Sequence, residues 1–141
     1  MESKSSIVQP IAIAVALLTG LHIGCSKPQT MHTASGVPAA QGEVKATLGA
    51  NGNTDVSIHV KHLALPSKVA PDATVYVVWI RAIAATDQNV GALRLNSNLE
   101  GSLDTVTSHR SFRVSITPEQ RSEVDQPTHD PVFTYDVERS K

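Results

Sequence analysis

The sequence predicts an all-β domain, a sandwich or barrel of about seven short antiparallel strands. Three observations lead there. From Glu43 onward apolar residues recur every second position, the period of a strand with one buried face. Asn51-Gly52 stands between two such runs, and both residues tolerate the positive φ that a tight hairpin requires. No stretch of the chain beyond its N-terminal segment is long and periodic enough for an amphipathic helix.

The first strand has Val44, Ala46 and Leu48 on one face, alternating with Glu43, Lys45 and Thr47. After the Asn-Gly turn the return strand puts Val56, Ile58 and Val60 inward and Asp55, Ser57, His59 and Lys61 outward. Leu65-Pro66 and Ala70-Pro71-Asp72 interrupt the pattern. Residues 74–81 (TVYVVWIR) are apolar on both faces, which marks a central strand covered on both sides. Residues 90–96 and 99–107 are weaker strands, expected to form a second hairpin through Asn96-Ser97-Asn98. In residues 111–117 Phe112, Val114 and Ile116 face inward against Arg113 and Ser115. Pro118-Glu119-Gln120 is expected to open a turn or a short helical piece, and residues 131–138 close the domain with Phe133, Tyr135 and Val137 on one face. All five aromatic residues (Tyr76, Trp79, Phe112, Phe133 and Tyr135) fall in three of these strands and are expected to form the centre of the core.

The N-terminus has a different character. Lys4 gives a short positive start, residues 5–26 carry no Asp, Glu, Lys or Arg, and residues 11–18 (IAIAVALL) are continuously apolar. Gln9-Pro10 and Thr19-Gly20-Leu21-His22 bracket that run, so it is shorter than the roughly 20 residues of a membrane span and reads as the core of an export signal. The stretch ends at Cys25, the only cysteine in the chain, which has no internal partner for a disulfide. Leu21-His22-Ile23-Gly24-Cys25 resembles the lipobox of bacterial lipoproteins, an apolar and small-residue run ending in a Cys. Gly24 and Ile23 match that pattern, and His22 stands where it has an apolar residue. The resemblance implies cleavage before Cys25, lipid modification of its thiol and anchoring in a bacterial envelope membrane. The alternatives are a secreted protein cleaved after Ala34-Ser35-Gly36 or Val37-Pro38-Ala39-Ala40, or an uncleaved anchor.

The expected organisation is therefore a signal peptide over 1–24, a lipidated Cys25 with a flexible Pro/Gly/Ser/Thr-rich tether over 25–42, and a β-sandwich over 43–141. An edge segment packed on the domain is the other reading of part of the tether. Twelve basic residues balance thirteen acidic ones and are scattered, so no nucleic-acid footprint is expected.

Thr74-Val75-Tyr76-Val77-Val78-Trp79-Ile80-Arg81, then Asn89-Val90-Gly91-Ala92-Leu93 and Phe112-Arg113-Val114-Ser115-Ile116-Thr117-Pro118-Glu119, resemble the extracytoplasmic domain of anti-sigma-K-type factors. The resemblance covers about half of the chain after Cys25 and implies an immunoglobulin-like sandwich. Those regulators carry a sigma-binding region before their membrane helix, whereas only residues 1–6 precede the apolar run here, so sigma-factor binding does not carry over.

No catalytic constellation stands out. His59 and His62, three apart on a strand, point to opposite faces and do not share a metal. Ser108, His109 and Asp104 make a Ser-His-Asp set only on paper, since no Gly-x-Ser-x-Gly elbow holds a nucleophile. Asp125 with Asp130, and Glu119 with Glu123, read as solvated turn carboxylates. Arg81, Arg110 and Arg113 are a candidate anion patch, read otherwise as edge charges that discourage strand pairing. The expectation is thus a non-enzymatic, lipid-anchored β-domain with a binding or structural role, needing no cofactor and no metal, whose partner is membrane lipid through Cys25. A sensor that signals to an envelope protein partner is the alternative, and an envelope hydrolase a weaker one.

Overall fold

A computed structural model describes residues 26–34 and 36–138. Its strands are β1 (Gln29–Thr30), β2 (His32–Thr33), β3 (Gln41–Leu48), β4 (Thr54–Lys61), β5 (Val75–Ala82), β6 (Gln88–Leu93), β7 (Gly101–Thr107), β8 (Phe112–Glu119) and β9 (Phe133–Val137), with one short helix, α1 (Pro66–Val69), before β5. They form two antiparallel sheets, ordered β1-β3-β4-β7 and β2-β9-β8-β5-β6. The domain is an all-β sandwich. The chain changes sheets between β1 and β2, β2 and β3, β4 and β5, β6 and β7, and β7 and β8, and crossings of this kind are found in immunoglobulin-like sandwiches.

The β3–β4 hairpin pairs Val44 with Ile58 and Leu48 with Thr54 across its turn, where Gly52 has φ 83°. Val44, Val56, Ile58 and Val60 from the first sheet pack against Tyr76, Val78, Ile80, Val114, Ile116 and Phe133 from the second. Period-two alternation alone places these residues, because successive side chains leave a strand on opposite faces.

Four expectations are corrected. The segment expected to be a flexible tether is stitched to both sheets: β1 pairs with β3 and β2 with β9. Met31, Val37 and Ala40 are buried, so apolar burial offsets the entropy that the Pro/Gly-rich composition would otherwise keep. Second, β6 and β7 are not a hairpin, since β6 pairs with β5 and β7 with β4. Residues 94–100 carry the chain between the sheets, closed by Asn96 N–H to Glu100 O and Leu99 N–H to Asn96 O.

Third, β8 runs straight through Pro118 to Glu119 instead of turning there. The carbonyl of Ile116, which shares its side of the strand with position 118, accepts from Val132 N–H, whereas β9 reaches back only to Phe133 opposite Ile116. The missing N–H of Pro118 thus faces a side where β9 has already ended, and no ladder bond is lost. Fourth, Trp79 lies outside the inter-sheet core, which takes Tyr76, Phe112 and Phe133, with Tyr135 packed against it. On β5 the core receives Tyr76, Val78 and Ile80, so Val77 and Trp79 point to the outer face, yet both are fully buried. The β8–β9 connection, residues 120–132, forms a strap fastened to that face, since Asn89, opposite Trp79 on β6, donates to the Ser122 and Val124 carbonyls and Thr128 N–H donates to Glu119.

The sandwich has two ends of different make-up. The β3–β4, β5–β6 and β7–β8 turns share one end with Ser26, whose hydroxyl bonds that of Thr47 at 2.7 Å. The opposite end carries α1, residues 94–100 and the root of the strap.

Candidate functional site

The densest polar cluster lies where the strap leaves β8. Thr117 and Glu119, two apart on the strand, both face outward beneath the strap. The Trp79 indole N–H donates to Thr117 Oγ1 at 2.8 Å, and the Thr117 hydroxyl donates to Glu119 Oε1 at 2.6 Å. Thr128 N–H donates to the same carboxylate oxygen at 3.0 Å, and the Thr128 hydroxyl bonds Glu119 Oε2. Glu119 is fully buried and accepts from three groups, which compensates the cost of taking a carboxylate out of water.

The chain of contacts continues outward. Thr128 Oγ1 lies 3.0 Å from His129 Nδ1, and His129 Nε2 lies 3.1 Å from Asp72 Oδ1, at the start of the α1–β5 connection. Gln120 Nε2 donates to Asp72 Oδ2 at 2.7 Å. That bond, with the Asp72 backbone N–H and His129, holds the Asp72 carboxyl below its usual range against partial desolvation.

The cluster clasps the strap to the sheet, and it is saturated by its own members.

Asn89 fastens the strap further along. Its side-chain amide donates to the carbonyls of Ser122 and Val124 at 2.8 and 3.0 Å, while its Oδ1 accepts from Gly91 N–H. Gly91 sits at a bulge with φ 138°, a backbone that side chains rarely adopt, and a Cβ there would meet Leu103 at 3.2 Å.

Cys25 and the 1–24 segment lie outside the described residues. His59 sits mid-strand on β4, and His62 follows its end with φ 54°. Among the described residues no group of three or more His, Cys, Asp or Glu is placed to hold a metal ion. Asp104 is on β7 while Ser108 and His109 occupy the turn after it, where the His109 carbonyl accepts from Thr54 Oγ1 at 2.9 Å. Arg81 and Arg113 do not form an open anion patch: Arg113 binds Asp136 in a fork at 2.7 and 2.8 Å, and Arg81 lies 3.6 Å from Asp87. Arg113 holds Asp136 well below the usual carboxylate range, and Asp136 in turn raises Arg113.

Asp125, Asp130 and Glu123 are exposed, but Glu119 is buried, which corrects its reading as a solvated turn carboxylate. Sequence reasoning missed the Glu119 cluster because it ended the strand at Pro118. The available signal was Thr117 and Glu119 sharing one strand face with Trp79's neighbours. Among known proteins, no family model, no curated protein and no solved structure matches this chain.

Proposed function

We propose that this chain is a lipid-anchored β-sandwich of the bacterial cell envelope, held in the membrane through Cys25, with a non-enzymatic binding or structural role. One observation supports the anchor most directly. Cleavage after Gly36 or after Ala40, the alternatives to processing at Cys25, would remove β1, β2 and the buried Met31 from the sandwich. Cleavage before Cys25 leaves every one of those contacts in place. The packing of β1 and β2 therefore speaks against cleavage after Gly36 or Ala40, and the lipobox-like run ending at Cys25 is what selects processing there over an uncleaved anchor.

The non-enzymatic role rests on the Glu119 cluster. Its carboxylate is enclosed, its acceptors are occupied, and its geometry accounts for a strap held over Trp79. A catalytic acid or base needs a partner position open to substrate. Lipid modification contributes roughly 0.8 kcal/mol per buried CH₂, so multiple acyl chains give stable anchoring where one gives marginal binding. Growth with labelled palmitate tests the reading: wild type incorporates label and Cys25→Ala does not. A wild type that takes up no label removes the anchor from the account.

A further inference from the structure

We propose that the end of the sandwich nearest Cys25 lies against the lipid surface, with the β5–β6 turn, residues 83–87, dipping into the membrane interface. This rests on the anchor reading given above and extends it to an orientation. Consecutive Cα atoms stand about 3.8 Å apart, so Cys25 lies that close to Ser26. Ser26 is itself fixed to the domain by its hydroxyl contact with Thr47 at 2.7 Å, and Gln29 and Thr30 pair with β3 directly after it. An acyl anchor on Cys25 thus draws in the end formed by the β3–β4, β5–β6 and β7–β8 turns, with little slack to tumble.

The chemistry of that end fits an interface. Ile83 is 85% exposed at the tip of the β5–β6 turn, flanked by exposed Ala84 and Ala85. Ala84 has φ 58°, an unusual conformation for a residue with a Cβ. Of the four large hydrophobic residues exposed among the described residues, Leu48, Ile83 and Val106 lie at or next to this end. Only Leu65 lies at the other. The carboxylates of Asp87 and Asp136 beside the tip are matched by Arg81 and Arg113, which leaves Arg110, exposed in the β7–β8 turn, to meet an anionic headgroup, while the exposed Asp55 on β4 and Glu138 just after β9 lie elsewhere on the same end. An apolar tip with an exposed arginine nearby suits a segment that sits in the headgroup region, about 5–10 Å deep.

The thioether on Cys25 leaves the lipidated chain without a free thiol, so one added cysteine gives a single labelling site. The processed protein carrying Ile83→Cys with an environment-sensitive fluorophore is reconstituted in phosphatidylethanolamine/phosphatidylglycerol vesicles. Ser67→Cys, on α1 at the opposite end, is the reference. The proposal expects blue-shifted emission at position 83, quenched severalfold more than position 67 by lipids spin-labelled near the headgroup. Protein that floats with the vesicles while its position-83 probe reports water overturns the orientation alone. Protein that does not float overturns the anchor, and the orientation with it.

Discussion

Glu119→Ala takes away the acceptor on which the strap depends. Three donors converge on that carboxylate: the Thr117 hydroxyl, the Thr128 N–H and the Thr128 hydroxyl. The Thr128 hydroxyl can turn to His129, 3.0 Å away, and the N–H of the exposed Thr128 can turn to water, but the Thr117 hydroxyl is left stranded beneath the strap. A stranded buried donor costs roughly 1–3 kcal/mol, so the variant should lose about 2 kcal/mol of folding stability. The assay is urea unfolding followed by the fluorescence of Trp79, the only tryptophan in the chain, which is fully buried under the strap. Acrylamide quenching of native Trp79 should rise in the same variant, because a loosened strap admits the quencher. Glu119→Gln keeps a carbonyl acceptor for the Thr117 hydroxyl and the Thr128 N–H and should lose less than the alanine variant. An alanine variant within about 0.5 kcal/mol of wild type, with Trp79 still shielded, would refute the clasp.

Gly42→Ala would place a Cβ 2.9 Å from the Phe133 ring and 3.3 Å from Met31 Sδ, and should cost about 1–3 kcal/mol in urea unfolding. Met31→Ala should lose about 2–3 kcal/mol, since Met31 is 3% exposed and belongs to the core; an unchanged midpoint would return residues 26–34 to the role of tether. Asp72 and Asp136 have folded-state values lowered from 3.8, so they add stability above that pH and lose it as the pH falls through their folded values. The difference in urea midpoint between wild type and Asp72→Asn/Asp136→Asn should therefore shrink between about pH 6 and pH 3, and parallel curves would contradict the assignment.

The strands were legible wherever one face met the core and the other met water. Val56, Ile58 and Val60 against Asp55, Ser57 and His59 state their own register. Residues 74–81 read correctly as a strand covered on both faces, but the pattern does not say which cover is a sheet and which a loop, and this puts Trp79 on the wrong side. The pattern failed at β1 and β2, two-residue strands too short to show any period. The β6–β7 connection misled because a turn-rich Asn-Ser-Asn serves a sheet crossing as well as a hairpin. The Glu119 clasp depends on three separate stretches of chain meeting, Glu119 on β8, Thr128 and His129 on the strap, and Asp72 before β5. Pairwise distance of that kind is set by packing, which a local pattern does not encode.

The anchor at Cys25 is the claim on which localisation, orientation and role all depend. Mass spectrometry of the N-terminal peptide of the mature protein, purified from membranes, measures it directly. The account predicts a peptide that begins at Cys25 and carries the added mass of a diacylglyceryl group on its thiol. A mature chain beginning at any other residue, or an unmodified Cys25, would contradict it.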